Sequence, residues 1–133
     1  NPASACVFAR GIDLAELPVR HGEGQFYTDD STLTELLENN QVAIQYALPD
    51  GELAHGCFPF NPNGSISDIA GICDPTGRIF GLMPHPEGYN HWTNHPDWTR
   101  RKEIAKRCGF SPPHTILPVG IQILQNAVDF LRR

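Results

Sequence analysis

Two short apolar runs, residues 69–73 and 78–83, flank the turn sequence Asp74-Pro75-Thr76-Gly77, and the second run stops in Pro84-His85-Pro86-Glu87. Short apolar segments bounded by turn residues read as strands, so this stretch is predicted to be a hairpin whose second strand is buried. A proline on each side of His85 opposes helix, and residues 84–87 are expected to stay extended. Side chains two apart in an extended segment fall on the same side of the backbone. His85 and Glu87 should therefore face one way at the end of a strand, where the ligand crevices of α/β sheets open.

Gly and Pro, 12 of each among 133 residues, punctuate further short segments, and no internal repeat appears. Thr32-x-x-Glu35 reads as a capping box, with Leu33, Leu36 and Leu37 at helical spacing and Asn39-Asn40 as the stop, which predicts a helix of two to three turns. Val42, Ile44, Tyr46 and Leu48 then alternate with Gln41, Ala43, Gln45 and Ala47, the period of a strand. Pro49-Asp50-Gly51 and Asn61-Pro62-Asn63-Gly64-Ser65 supply turns. Residues 89–113 read as a loop with one short helix. From Gly120 a helix is expected to expose one stripe, Gln122, Gln125, Asn126 and Asp129, and to bury its apolar remainder. The fold class is α/β.

Ten Lys and Arg against fifteen Asp and Glu leave a net charge of −5. That acidity, without a large basic cluster, removes the footprint of a nucleic-acid binder or a polybasic membrane-surface protein. No apolar run approaches the ~20 residues of a membrane span, and the first residues do not resemble a signal peptide, so a cytoplasmic chain is expected. Cys6, Cys57, Cys73 and Cys108 lie far apart with no C-x-x-C pair, and buried free thiols are the expectation. The sequence opens on Asn1-Pro2 rather than Met, from which an upstream segment is expected.

A carboxylate beside an imidazole can orient the ring and stabilise its protonated form, which suits His85 and Glu87 to taking a proton from a nucleophile. The alternative is a surface histidine beside a solvated glutamate. His91-x-x-x-His95 has zinc-binding spacing, but Asn94 and Pro96 oppose a helix and no third ligand is evident, so no metal site is expected. Trp92 and Trp98 suit either a docking surface or partial core burial.

Leu17-Pro18-Val19-Arg20-His21-Gly22-Glu23-Gly24-Gln25-Phe26-Tyr27, Asn61-Pro62-Asn63-Gly64-Ser65, Ile69-Ala70-Gly71-Ile72-Cys73-Asp74 and Gly81-Leu82-Met83-Pro84-His85-Pro86-Glu87 occur in this order, and Gln125-Asn126-Ala127-Val128 lies in the last helix. Together these segments resemble the C-terminal part of the class I, or triad, glutamine amidotransferases, most closely the glutaminase part of phosphoribosylformylglycinamidine synthase. The resemblance covers nearly the whole chain. It implies the C-terminal portion of a three-layer, flavodoxin-like fold over residues 1–133, and a Cys-His-Glu triad that releases ammonia from glutamine in purine biosynthesis. His85 would be the general base and acid and Glu87 its orienting group, while Arg20, His21 and Gly22 match a segment beside the bound glutamine. The partner would be a synthetase domain or subunit that receives the ammonia and itself holds ATP and magnesium, with no cofactor in this chain.

One part of the family pattern is missing. The nucleophile sits on a G-x-C-x-G elbow, a sharp strand-to-helix turn, and none of the four cysteines has that setting: Pro75 follows Cys73, and Pro59 follows Cys57. The nucleophile is therefore expected on an absent N-terminal part of the domain, and this chain alone is expected to be inactive. Two rivals stay open, the glutaminase of another synthetase and a non-catalytic docking or regulatory module of amidotransferase-like fold.

Overall fold

The computed structural model describes residues 1–20, 22–110 and 117–132. Helix α1 spans Asp30–Glu38, strand β1 Val42–Gln45, β2 Ile69–Cys73, β3 Phe80–Leu82, helix α2 Trp98–Cys108 and α3 Val119–Leu131, with 3-10 turns at Ile66–Asp68, Pro86–Tyr89 and Trp92–Asn94. The mixed α/β class is the one the sequence indicated. The strands form one antiparallel sheet in the order β1-β2-β3.

The predicted hairpin is present, with Gly71 facing Leu82 and Cys73 facing Phe80. Asp74 organises its turn by accepting bonds from the Thr76 hydroxyl at 2.6 Å and from the Ile79, Arg78 and Thr76 N–H groups at 2.8, 2.9 and 3.1 Å. The Thr76 hydroxyl first, then the Ile79 N–H, draw the Asp74 carboxyl down to about 2. The second strand is shorter than expected and is not buried: Phe80 and Leu82 are half-buried and Ile79 before them is 73% exposed.

Alternation along β1 also breaks. Val42 and Ala43 are both buried, because register shifts between Val42 and Ile44 and between Ile44 and Gln45 bend the strand against β2. Cys73 packs with Cys6 and Ala43, and Ala70 with Tyr46 and Ala54. Positions 70 and 73 of β2 point to opposite faces, so the sheet carries a small core on each side. Ile44 packs against both clusters, and the Phe8 and Phe80 rings stack at 5.5 Å beside the first. An apolar-lined cavity of about 670 Å³ opens between residues 12–19, β1 and residues 59–62.

The helices depart from expectation in instructive ways. Helix α1 is capped by Asp29, whose carboxylate accepts from Thr32 N–H at 2.9 Å, and not by Thr32. Of the stretch 89–113, the described residues 89–110 hold a 3-10 turn and the eleven-residue α2 in place of one short helix, and residues 111–113 lie outside the described residues. Five of the chain's ten Lys and Arg gather on α2, at positions 100, 101, 102, 106 and 107. Helix α3 forms where predicted but does not bury its apolar remainder: only Gly120 and Ile123 are buried, and Leu124, Val128 and Leu131 are exposed. Its polar Asn126 instead turns inward to donate to the carbonyls of Phe8 and Arg10 at 2.9 and 2.8 Å. Two cysteines correct the thiol expectation, since Cys6 and Cys73 are buried but Cys57 and Cys108 are exposed.

Candidate active site

The chain leaves β3 through Met83, whose N–H still bonds the Ala70 carbonyl at 2.8 Å, and then buried Pro84. The His85 N–H donates to the Pro18 carbonyl at 2.9 Å, which ties this corner to residues 16–20. Residues 86 and 87 do not stay extended as expected. Pro86 opens a 3-10 turn instead, since a missing N–H and a fixed φ suit the first helical position. His85 itself is extended, at φ −105° and ψ 93°. The coil still brings the two side chains together: His85 Nδ1 lies 2.6 Å from Glu87 Oε1.

The proton in that bond can be assigned. The hydrogen bond from His85, followed by the charges of His85 and Arg20, holds the Glu87 carboxyl below its usual value, so at neutral pH it is ionised and accepts only. Nδ1 therefore carries the hydrogen, and Nε2 is the basic nitrogen of the neutral ring. The His85 side chain is 37% exposed, open enough to meet a substrate and shielded enough to keep its orientation.

Neighbouring backbone presses on the turn from two sides. A Cβ on Gly88 would stand 2.8 Å from Pro18 Cγ and 3.2 Å from an Arg20 guanidinium nitrogen, and one on Gly120 would stand 2.1 Å from the Pro86 carbonyl oxygen. Only glycine fits at these approaches. Arg20 thus sits against the His85–Glu87 turn. Gly22 is exposed, with no heavy atom close to where a Cβ would be. His21 lies outside the described residues.

Beyond Arg20 the chain is knitted to the Asn61–Ser65 turn. Asn63 Nδ2 donates to the Gly24 carbonyl and Gln25 Nε2 to the Gly64 carbonyl, both at 2.7 Å, while Phe26 N–H donates to Ser65 Oγ and Ile66 N–H to the Phe26 carbonyl, both at 3.1 Å. That turn rests on a carboxylate the sequence reading passed over. Buried Asp68 accepts from the N–H groups of His55 and Gly56 at 2.7 and 2.9 Å and from Asn61 Nδ2 at 2.8 Å. Asp68 and Ser67 both hold positive φ, at 57° and 50°, to aim the carboxylate there. The one available signal was a charged residue standing directly before an apolar strand.

Three motifs far apart in sequence thus meet through Arg20, residues 24–26 and the His85 turn. A CobB/CobQ-like glutamine amidotransferase domain model matches residues 1–131. The chain belongs to that glutamine amidotransferase family. It is 48% identical over 130 residues, 98% of its length, to a phosphoribosylformylglycinamidine synthase subunit PurQ of Methanococcus maripaludis, covering 47% of that protein. It is 46% identical over its whole length to the PurQ subunit of Dehalococcoides mccartyi, covering 46% of that protein. The chain therefore spans about half the length of the curated relatives it matches.

The remaining singled-out residues of this amidotransferase chain have other work. His91 caps the turn Trp92–Asn94, accepting from Thr93 N–H, and His95 meets Glu16 at 3.2 Å. The described residues gather no group of three His, Cys, Asp or Glu side chains that could hold a metal ion. Trp92 and Trp98 meet edge to face at 5.3 Å, each half-buried. Cys6 and Cys73 lie in the sheet core, Cys57 precedes the Asn61 turn, and Cys108 ends α2. Among the described residues no hydrogen bond joins a cysteine to His85. No helix of the described residues is long and apolar enough to cross a membrane.

Proposed function

We propose that residues 1–133 supply the histidine and glutamate of a Cys-His-Glu triad in the glutaminase of phosphoribosylformylglycinamidine synthase. The observation that carries this reading is the 2.6 Å bond from His85 Nδ1 to an ionised Glu87, which leaves Nε2 as the base. The names of the relatives support the same assignment.

In this reading a cysteine on the rest of the domain gives its thiol proton to His85 Nε2, and the thiolate attacks the side-chain amide carbon of glutamine. The imidazolium, stabilised by Glu87, then protonates the departing nitrogen, which leaves as ammonia. Water, activated by the same nitrogen, hydrolyses the thioester to glutamate and regenerates the thiol. Arg20, His21 and Gly22 border the glutamine. Residues completing a flavodoxin-like, three-layer domain would fill the cavity beside β1 and bring the cysteine to His85. The ammonia passes, in the cytoplasm, to a synthetase partner that holds ATP and magnesium, and this chain by itself is inactive.

The test uses the complete subunit with its synthetase. His85→Ala is expected to abolish glutamine-dependent synthesis and to leave ammonia-dependent synthesis intact. Equal loss of both overturns the catalytic role and leaves the docking module.

A further inference from the structure

Glu16, Pro18 and Arg20 occupy alternate positions of a segment outside any helix or strand, and all three engage residues 85–101. Glu16 Oε2 contacts Arg101 at 2.5 Å and His95 Nε2 at 3.2 Å. Pro18 packs on Gly88 and accepts the His85 N–H through its carbonyl, and Arg20 lies against Gly88 with its charge acting on Glu87. The segment is a strap, fastened by an ion pair at one end and lying on the His85–Glu87 turn at the other.

The fastening is well defined. The His95 side chain is only 10% exposed, and its Nδ1 accepts the Asp97 N–H at 3.0 Å, so the neutral ring carries its proton on Nε2 and donates it to Glu16. The Tyr89 ring, at the end of the His85–Glu87 turn, stands 5.9 Å from the His95 ring and limits how it can turn. Burial works against the Glu16 charge, but Arg101 and His95 together hold the carboxyl below its usual range.

We infer that Glu16 is a positioning residue for the His85–Glu87 pair, acting through the strap that it anchors to His95 and Arg101. Release of Glu16 frees residues 16–20, which slackens the Pro18 support of the His85 backbone and withdraws Arg20 from Glu87. This inference rests on the proposed role of His85, so its test includes a readout that does not depend on turnover.

In the complete subunit with ¹⁵N-labelled histidine, the His85 Nδ1–H proton, bonded to a carboxylate, is expected far downfield. Glu16→Ala and Arg101→Ala should each broaden or move that resonance upfield and lower glutamine kcat on the order of tenfold. The double variant should be no worse than the poorer single one, because both cut the same strap. Glu16→Gln, which keeps an acceptor, should restore a folded protein with an intermediate resonance even where the alanine variant does not fold. An unmoved resonance in Glu16→Gln and Glu16→Ala, or fully additive losses in the double variant, overturns the inference. A moved resonance together with intact turnover in His85→Ala would instead overturn the catalytic reading and leave the strap standing.

Discussion

Asn61 and Asp68, both buried, are joined by a bond of 2.8 Å from the amide Nδ2 to the carboxylate Oδ1. Asn61 also spans its own turn, donating to the Ser65 carbonyl and accepting the Ser65 N–H, both at 2.9 Å. Replacing Asp68 by Ala removes the acceptor of the exposed His55 and Gly56 N–H groups and strands one N–H of the buried Asn61 amide. Each unsatisfied buried donor costs about 1–3 kcal/mol. Asp68→Ala is thus expected to lower the urea midpoint of the complete subunit sharply. Asp68→Asn, which keeps one acceptor oxygen, should lose about half as much.

Gly120 lies where a methyl group would collide with the Pro86 and Tyr89 carbonyl oxygens. Glycine to alanine inside a helix ordinarily gains roughly 0.5–1 kcal/mol. Here the sign reverses, because overpacking against backbone costs about 1–3 kcal/mol. Gly120→Ala should unfold at lower denaturant and also lower glutamine turnover by tilting the His85 turn, whereas Gly109→Ala, at an open αL helix end, should affect stability alone.

Glu87 binds its proton more weakly folded than unfolded. Its contribution to stability is therefore present above its ordinary value of 4.5 and is lost as pH falls through the lower folded value. The same protonation removes the acceptor that fixes the His85 tautomer. Under the proposed triad, Glu87→Gln is expected to reduce glutamine turnover of the complete subunit less than His85→Ala does, because an orienting group contributes less than a proton carrier. Steady-state kinetics of the two variants at neutral pH decide the order.

Asp74 follows the same sign with a wider window. Its folded value is about 2 against an ordinary 3.8, so the turn's support is complete above 3.8 and disappears as pH falls to about 2. Asp74→Asn should be less stable than the parent at pH 6, and the gap should close as acid unfolding curves approach pH 2.

The elements read correctly from sequence are those whose determinants are local. Residues 69–73 and the Asp74 turn carry a short apolar run and turn chemistry within a few positions, and His85 and Glu87 are close enough in sequence to meet whether the backbone is extended or coiled. Failures occurred where a distant partner decides the outcome. The periodicity of α3 shows which side could be covered, but burial needs a neighbour, and Leu124, Val128 and Leu131 have none among the described residues that covers them. Asn126, read as solvent-facing, is held by Phe8 and Arg10 over a hundred positions away. Glu16 sits in an apolar stretch and looked incidental, because its partners His95 and Arg101 follow about eighty residues later. Asp68 was hidden likewise, its obligations set by the backbone of His55 and Gly56.

The close approach of Gly120 to Pro86 also sets an order of events during synthesis. A ribosome releases His85 and Glu87 well before it releases the helix that seats their turn, and until then the imidazole has its carboxylate nearby but no fixed aim. A nascent chain can thus hold every proton-handling group of this segment without a working geometry. The aim of the pair is set only when α3 has closed beneath the turn.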